Sequence, residues 1–171
     1  MSLRTIMIFP QFDNVELIDQ IRDKYDPLAD LVRPHITLVF PFESPMSKGE
    51  LAEILEKRLQ AIEPFALELC GISKQEDTFG NYLFLDVIRG GEEISQIHRI
   101  LYENEFKEFD KGYPYIPHMT IGKLPTPQEL DDAYDAIKNE SHRFLTEVQK
   151  ISVEMIGVNE QSIIVIEKQL K

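Results

Sequence analysis

Pro34-His35-Ile36-Thr37 and Pro117-His118-Met119-Thr120 are one tetrad written twice, 83 residues apart, and each runs on into apolar sequence. Together they use two of the chain's four histidines. In a strand, residues i and i+2 share a face, so His35 and Thr37 project together, as do His118 and Thr120, while Ile36 and Met119 turn into the packing. A proline before each histidine suits the first residue or edge of a strand, where no ladder donor is needed.

Outward from the tetrads the chain repeats an order of elements. Arg4 to Phe9 reads as a strand, and Val15 to Tyr25 as a helix with Asp13 as its cap. His35 to Phe40 is β-branched and apolar, hence a strand. Ser47 with Glu50 makes a capping box for a helix whose apolar stripe is Leu51, Ile54, Leu55, Leu59 and Ile62, and Phe65 to Ile72 is the next strand. The second half repeats this with a strand at Tyr82 to Ile88, a helix at Glu92 to Phe109, the strand His118 to Leu124, and a helix from the cap Thr126-Pro127-Gln128-Glu129 to about Lys138. Phe144 to Val158 and Ser162 to Leu170 are strand-like. Equivalent helix starts, Ser47 and Thr126, lie 79 residues apart, and the opening strands 78, close to the histidine spacing. Two similar lobes in a single domain over residues 1–171 follow, related by a pseudo-twofold that sets the two His-Thr faces across one cleft.

The 171 residues, 43% hydrophobic and 28% charged, bound a globular chain long enough for a real core. One cysteine, Cys70, inside an apolar run, excludes a disulfide framework and points to a reducing, cytoplasmic setting. The apolar runs are strand-length, far short of the roughly 20 residues that span a bilayer, so no membrane partner is expected. A formal charge of −12 argues against a large basic nucleic-acid surface. Phosphate, if bound, is bound in a pocket.

Imidazole titrates near pH 6.5, so one ring can accept a proton while the other donates one. A phosphorus between them is attacked on one side and loses its leaving oxygen on the other, with the Thr37 and Thr120 hydroxyls on the non-bridging oxygens. Neither tetrad supplies further ligands at metal spacing, so no metal and no cofactor is expected. Arg33 is a candidate phosphate anchor, and Tyr113 and Tyr115 are candidates for stacking a nucleobase. Strand parity turns Lys123 away from His118. His98 reads as a packed or rim residue and His142 as exposed.

His35-Ile36-Thr37-Leu38 and His118-Met119-Thr120-Ile121 match the His-x-Thr-apolar motif, and here the chain resembles the 2H phosphoesterases, which include the 2'-5' RNA ligase-like proteins and cyclic nucleotide phosphodiesterases. The resemblance implies an α+β, bilobal fold of two antiparallel sheets flanked by outer helices, with the histidine pair in a central cleft. It implies hydrolysis of 2',3'-cyclic phosphodiesters of nucleotides or RNA ends, or the related 2'-5' ligation; the alternative of a different class is a module that only binds nucleotide. The partner expected is a small nucleotide or an RNA terminus carrying a cyclic phosphate, acted on by a monomer, with His118 as base and His35 as acid.

Overall fold

Alternation along the first strand decides which side of it becomes core. In a computed structural model that describes residues 2–171, β1 (Ser2–Ile8) sends Ile6 and Ile8 into the core and Thr5 and Met7 to the opposite face. Then come α1 (Val15–Tyr25), β2 (Ile36–Ser44), α2 (Lys48–Leu59), β3 (Phe65–Asp77), β4 (Gly80–Arg89), α3 (Gly91–Tyr102), β5 (His118–Leu124), α4 (Pro127–Ile137), β6 (Phe144–Val148), β7 (Lys150–Ile156) and β8 (Ser162–Gln169).

The strands form two antiparallel four-stranded sheets, in the orders β2-β1-β7-β8 and β5-β4-β3-β6. In each, a histidine strand is the edge and the opening strand of the same half lies beside it. The third place is exchanged. β3 of the first half sits next to β4, and β7 of the second half sits next to β1. The strand expected over Phe144 to Val158 is therefore two strands. β6 pairs with β3, the chain breaks at Gln149, and β7 crosses to β1.

The helices interlock in the same manner. α1, which follows β1, packs against β5; α3, which follows β4, packs against β2. Each histidine strand is thus backed by a helix from the other half. α2 lies on β8 and α4 on β3, β4 and β5, closing a core that includes Leu38, Val39, Leu51, Leu83, Ile97, Met119, Ile121 and Ile151. The result is the bilobal α+β architecture, with helices outside.

Local chemistry explains the element ends. Ser47 and Glu50 form the full capping box expected of α2. At α4 the box is half made: Thr126 Oγ1 accepts from the Glu129 N–H, but the Glu129 carboxylate takes the Thr126 hydroxyl rather than its N–H. Asp13 does not cap α1. The cap position is Asn14, whose amide donates instead to the Arg143 carbonyl far along the chain, at 3.0 Å. The helix expected to reach Phe109 stops at Tyr102, because the Asn104 and Phe106 N–H groups both turn back to the Leu101 carbonyl and a 3-10 turn follows at Lys107–Phe109. Phe106 remains fully buried, which is why the apolar pattern runs past the helix end.

Candidate active site

Burial along the two edge strands separates their faces as the alternation predicts. Ile36, Leu38 and Met119 are buried, whereas His35, Thr37, His118 and Thr120 are all half-exposed on the other side. β2 and β5 approach each other across the cleft, and a positive charge on His118 disfavours one on His35.

Both imidazoles are anchored alike. His35 Nδ1 lies 2.8 Å from the Arg33 carbonyl and His118 Nδ1 lies 2.7 Å from the Ile116 carbonyl, each two residues back with a proline between. A carbonyl only accepts, so Nδ1 carries the proton in each ring and Nε2 is the free atom. When neutral, Nε2 is a base; when protonated, it is an acid. Proline contributes a fixed φ and no competing N–H at the residue between ring and carbonyl.

Just beyond each threonine the ladder skips a residue. Met7 pairs with Thr37 and Ile6 with Val39, passing over Leu38; Phe84 pairs with Thr120 and Leu83 with Gly122, passing over Ile121. Matching β-bulges therefore lie against the two His-Thr faces, where a bulge bends the strand and re-aims its side chains. They also reset parity. Lys123 pairs with Tyr82, which shares the face of Phe84 and Thr120, so Lys123 lies on the His118 side of the sheet, against the sequence expectation. Its ammonium stands 5.6 Å from the centre of the Tyr82 ring. Gly122 permits close packing beside the second bulge, since a Cβ there would sit 3.0 Å from Tyr25 Cβ and 3.1 Å from Leu83.

The surroundings of the two rings differ. Asp86 is directly opposite His118 and accepts a 2.6 Å bond from the Ser73 hydroxyl. Phe84 packs on His118 with ring centres 3.8 Å apart. His35 instead has the apolar Phe9 ring at 6.1 Å and lies within the field of the Arg22–Asp26 pair at the end of α1. Burial holds both imidazoles below the usual histidine range and outweighs the bond to the carbonyl, which favours the charged form. For His35, Arg22 and His118 push further down against Asp26; for His118 the neighbouring charge is Asp86, which pushes up. The neighbouring charge at His118 thus favours its protonated form, whereas the charges around His35 oppose one another.

The remaining sequence candidates fall in three places. Arg33 is exposed and lays its guanidinium over Phe9, 4.7 Å from the ring centre, on the rim beside His35. Tyr113 is exposed and meets Phe79 edge to face. Tyr115 is engaged by protein on both counts: its hydroxyl donates to the Thr37 carbonyl at 2.7 Å, and its ring stacks on His98 at 3.6 Å and 6°. Burial pushes its phenol far above the ordinary range, so it stays a donor. His98 is the packed residue expected, with Nδ1 2.7 Å from the Leu38 carbonyl, and His142 is exposed beside Glu140. Asp86 and Phe84 escaped sequence reasoning, since only the long-range pairing of β4 with β5 brings them to His118 and Thr120, and Lys123 was set aside by a parity that the bulge reverses.

Recesses of about 440 Å³ and 850 Å³ open at equivalent places in the two halves. Phe9, Arg33 and Pro34 line the first, next to His35; Val87, Arg89 and Pro117 line the second, next to His118. No helix among the described residues is long and apolar enough to cross a membrane.

Residues 9–155, which include both tetrads, match the family model of the 2'-5' RNA ligase superfamily. The chain belongs to that superfamily. Members similar to it include "Putative phosphoesterase BH1439" of Halalkalibacterium halodurans, 31% identical over 139 residues that cover 78% of this chain and 77% of that one. "Putative phosphoesterase OB1230" of Oceanobacillus iheyensis is 27% identical over 136 residues, covering 79% and 78%. Among solved structures, E. coli LigT complexed with 3'-AMP covers 99% of this chain and 98% of its own with a TM-score of 0.68 at 15% identity. Kluyveromyces marxianus Usb1 covers the same shares with a TM-score of 0.59 at 10% identity. Those likenesses establish the superfamily fold, and membership with the phosphoesterase names of the relatives supports an enzyme acting on phosphoesters.

Proposed function

We propose that the chain hydrolyses 2',3'-cyclic phosphodiesters of nucleotides or RNA ends without a metal, by acid and base catalysis from His35 and His118. The observation that carries this reading is the mirrored pair of imidazoles, each with Nδ1 committed to a carbonyl and Nε2 left free on a face it shares with a threonine. Neutral His35 takes a proton from water through Nε2 as the water oxygen attacks phosphorus. Protonated His118 gives its Nε2 proton to the departing ribose oxygen, so one P–O bond forms to the water oxygen, one P–O ester bond breaks, and a phosphomonoester remains. The charges around the rings favour this assignment, the reverse of the one expected from sequence. Thr37 and Thr120 hydrogen-bond the non-bridging oxygens as charge builds there, and Lys123 adds a cation on the same face.

The two recesses leave room for a substituent on each side of the phosphate. A chain of charge −12 with no basic stripe suits a small nucleotide or a lone RNA terminus. The capture of 3'-AMP by LigT, of the same fold, supports a nucleotide in the cleft. Turnover of 2',3'-cyclic nucleotides and of cyclic-phosphate-ended RNA, with chelator present, tests the proposal. Full activity in chelator is expected. Activity lost in chelator would overturn the metal-free mechanism, and nucleotide binding without turnover would leave a binding module.

A further inference from the structure

β2 is an edge strand, and its bulge leaves backbone groups that β1 does not take. Three side chains from the second half take them. Tyr115 donates to the Thr37 carbonyl at 2.7 Å, His98 Nδ1 to the Leu38 carbonyl at 2.7 Å, and the Tyr102 hydroxyl accepts the Phe40 N–H at 3.1 Å. Carbonyls of successive residues point to opposite sides of a regular strand. Here two successive carbonyls are met by two rings stacked 3.6 Å apart, so both point the same way, a geometry that the inserted Leu38 makes possible.

The segment supplying Tyr115 is the one that anchors His118. Tyr115-Ile116-Pro117-His118 holds Thr37 by its first residue and the His118 ring by its second. Four residues thus tie the two halves of the cleft at the places where chemistry is to occur. We infer that Tyr115 and His98 are positioning residues, a stacked latch that holds the bulged Thr37–Leu38 segment in register with His118 across the cleft. They act through Thr37 and touch no substrate.

This inference rests on the proposed phosphodiester hydrolysis, and its test separates the two. Y115F keeps the stacked ring and removes only the bond to Thr37. A fall in kcat on the order of tenfold is expected on 2',3'-cyclic nucleotide, with KM within about twofold, because misplacement of a reacting group taxes the chemical step more than binding. In a T37V background the same change should cost clearly less, since the latch acts through that residue. H98N, which retains a donor near the Leu38 carbonyl, should keep more activity than H98A. Amide hydrogen exchange across Leu38–Phe40 should quicken in Y115F. An unchanged kcat in Y115F, or an equal loss in the wild-type and T37V backgrounds, would overturn the latch. Should the wild-type chain fail to turn over cyclic nucleotides, the hydrolysis proposal falls, and the amide exchange alone decides the latch: faster exchange supports it, unchanged exchange overturns it.

Discussion

The His35 and His118 strands share an anchor and a bulge, yet the first ring lies near an arginine–aspartate pair and Phe9, and the second lies on Phe84 and faces an aspartate. Repetition of the local motif fixes where Nε2 points, and the neighbours then decide which ring holds the proton. A symmetric scaffold acquires two unlike imidazole environments through a handful of residues outside the motif, Asp86 and Arg22 first among them. The strands are also held differently. Polar rings of α3 and the segment before β5 grip β2, whereas β5 is gripped by close apolar packing of Gly122 under Tyr25 and Leu83.

The largest effect should come from removing either ring. H35A and H118A should each lose on the order of 10²–10⁴ in turnover, read as kcat at saturating cyclic nucleotide. Full-rate activity in both would end the paired mechanism.

Next is the packing that holds β5. G122A forces a methyl against Tyr25 and Leu83 and should destabilise the fold by about 1–3 kcal/mol in urea titration. An unaltered midpoint would show that this strand is not held by close approach.

The asymmetry itself is tested by pH. An acid must be protonated, so activity falls as pH rises through the pKa of His118. Asp86 raises that pKa, and D86N should therefore move the alkaline limb of the kcat profile to lower pH and leave the acid limb, set by His35, in place. Movement of the acid limb alone would exchange the two roles.

The smallest effect concerns the face of the His35 sheet that carries Met7 and Thr37, where Thr5 pairs with Glu154. Glu154 is 5% exposed, and Oε2 has no hydrogen-bond partner among the described residues. Burial raises its carboxyl above the usual range, so the folded state binds this proton more readily than the unfolded one. Its contribution is thus present below the unfolded pKa and lost as pH rises through the folded pKa. E154Q should raise Tm at pH 8 more than at pH 4. An equal shift at both would assign the effect to packing.

Much of this layout is legible in the chain. α1 and β5 fall at their expected bounds, the Ser47 box starts α2, and alternation places each histidine with its threonine. What was missed shares one physical origin. A single inserted residue leaves no mark on composition, yet it reverses every face beyond it, and Lys123 was misplaced by the insertion at Ile121 alone. Gln149 is the same lesson at a larger scale, because Phe144 to Ile156 reads as one run while its hydrogen bonds belong to two sheets. Asp86 lay beyond reach because the pairing of β4 with β5 is a long-range fact.

The exchange of β3 and β7 sets an order in time. Every pairing of the His118 sheet is made between residues 65 and 148, so that sheet can assemble from one contiguous stretch. The His35 sheet must bring Arg4 to Met155, a far longer loop to close, and such closure slows folding. During synthesis β1 stays without its second neighbour until β7 emerges. Pulse-labelled hydrogen exchange on the refolding chain should find β4 amides protected before those of β7, so that the His118 side of the cleft is built first and waits for the His35 side.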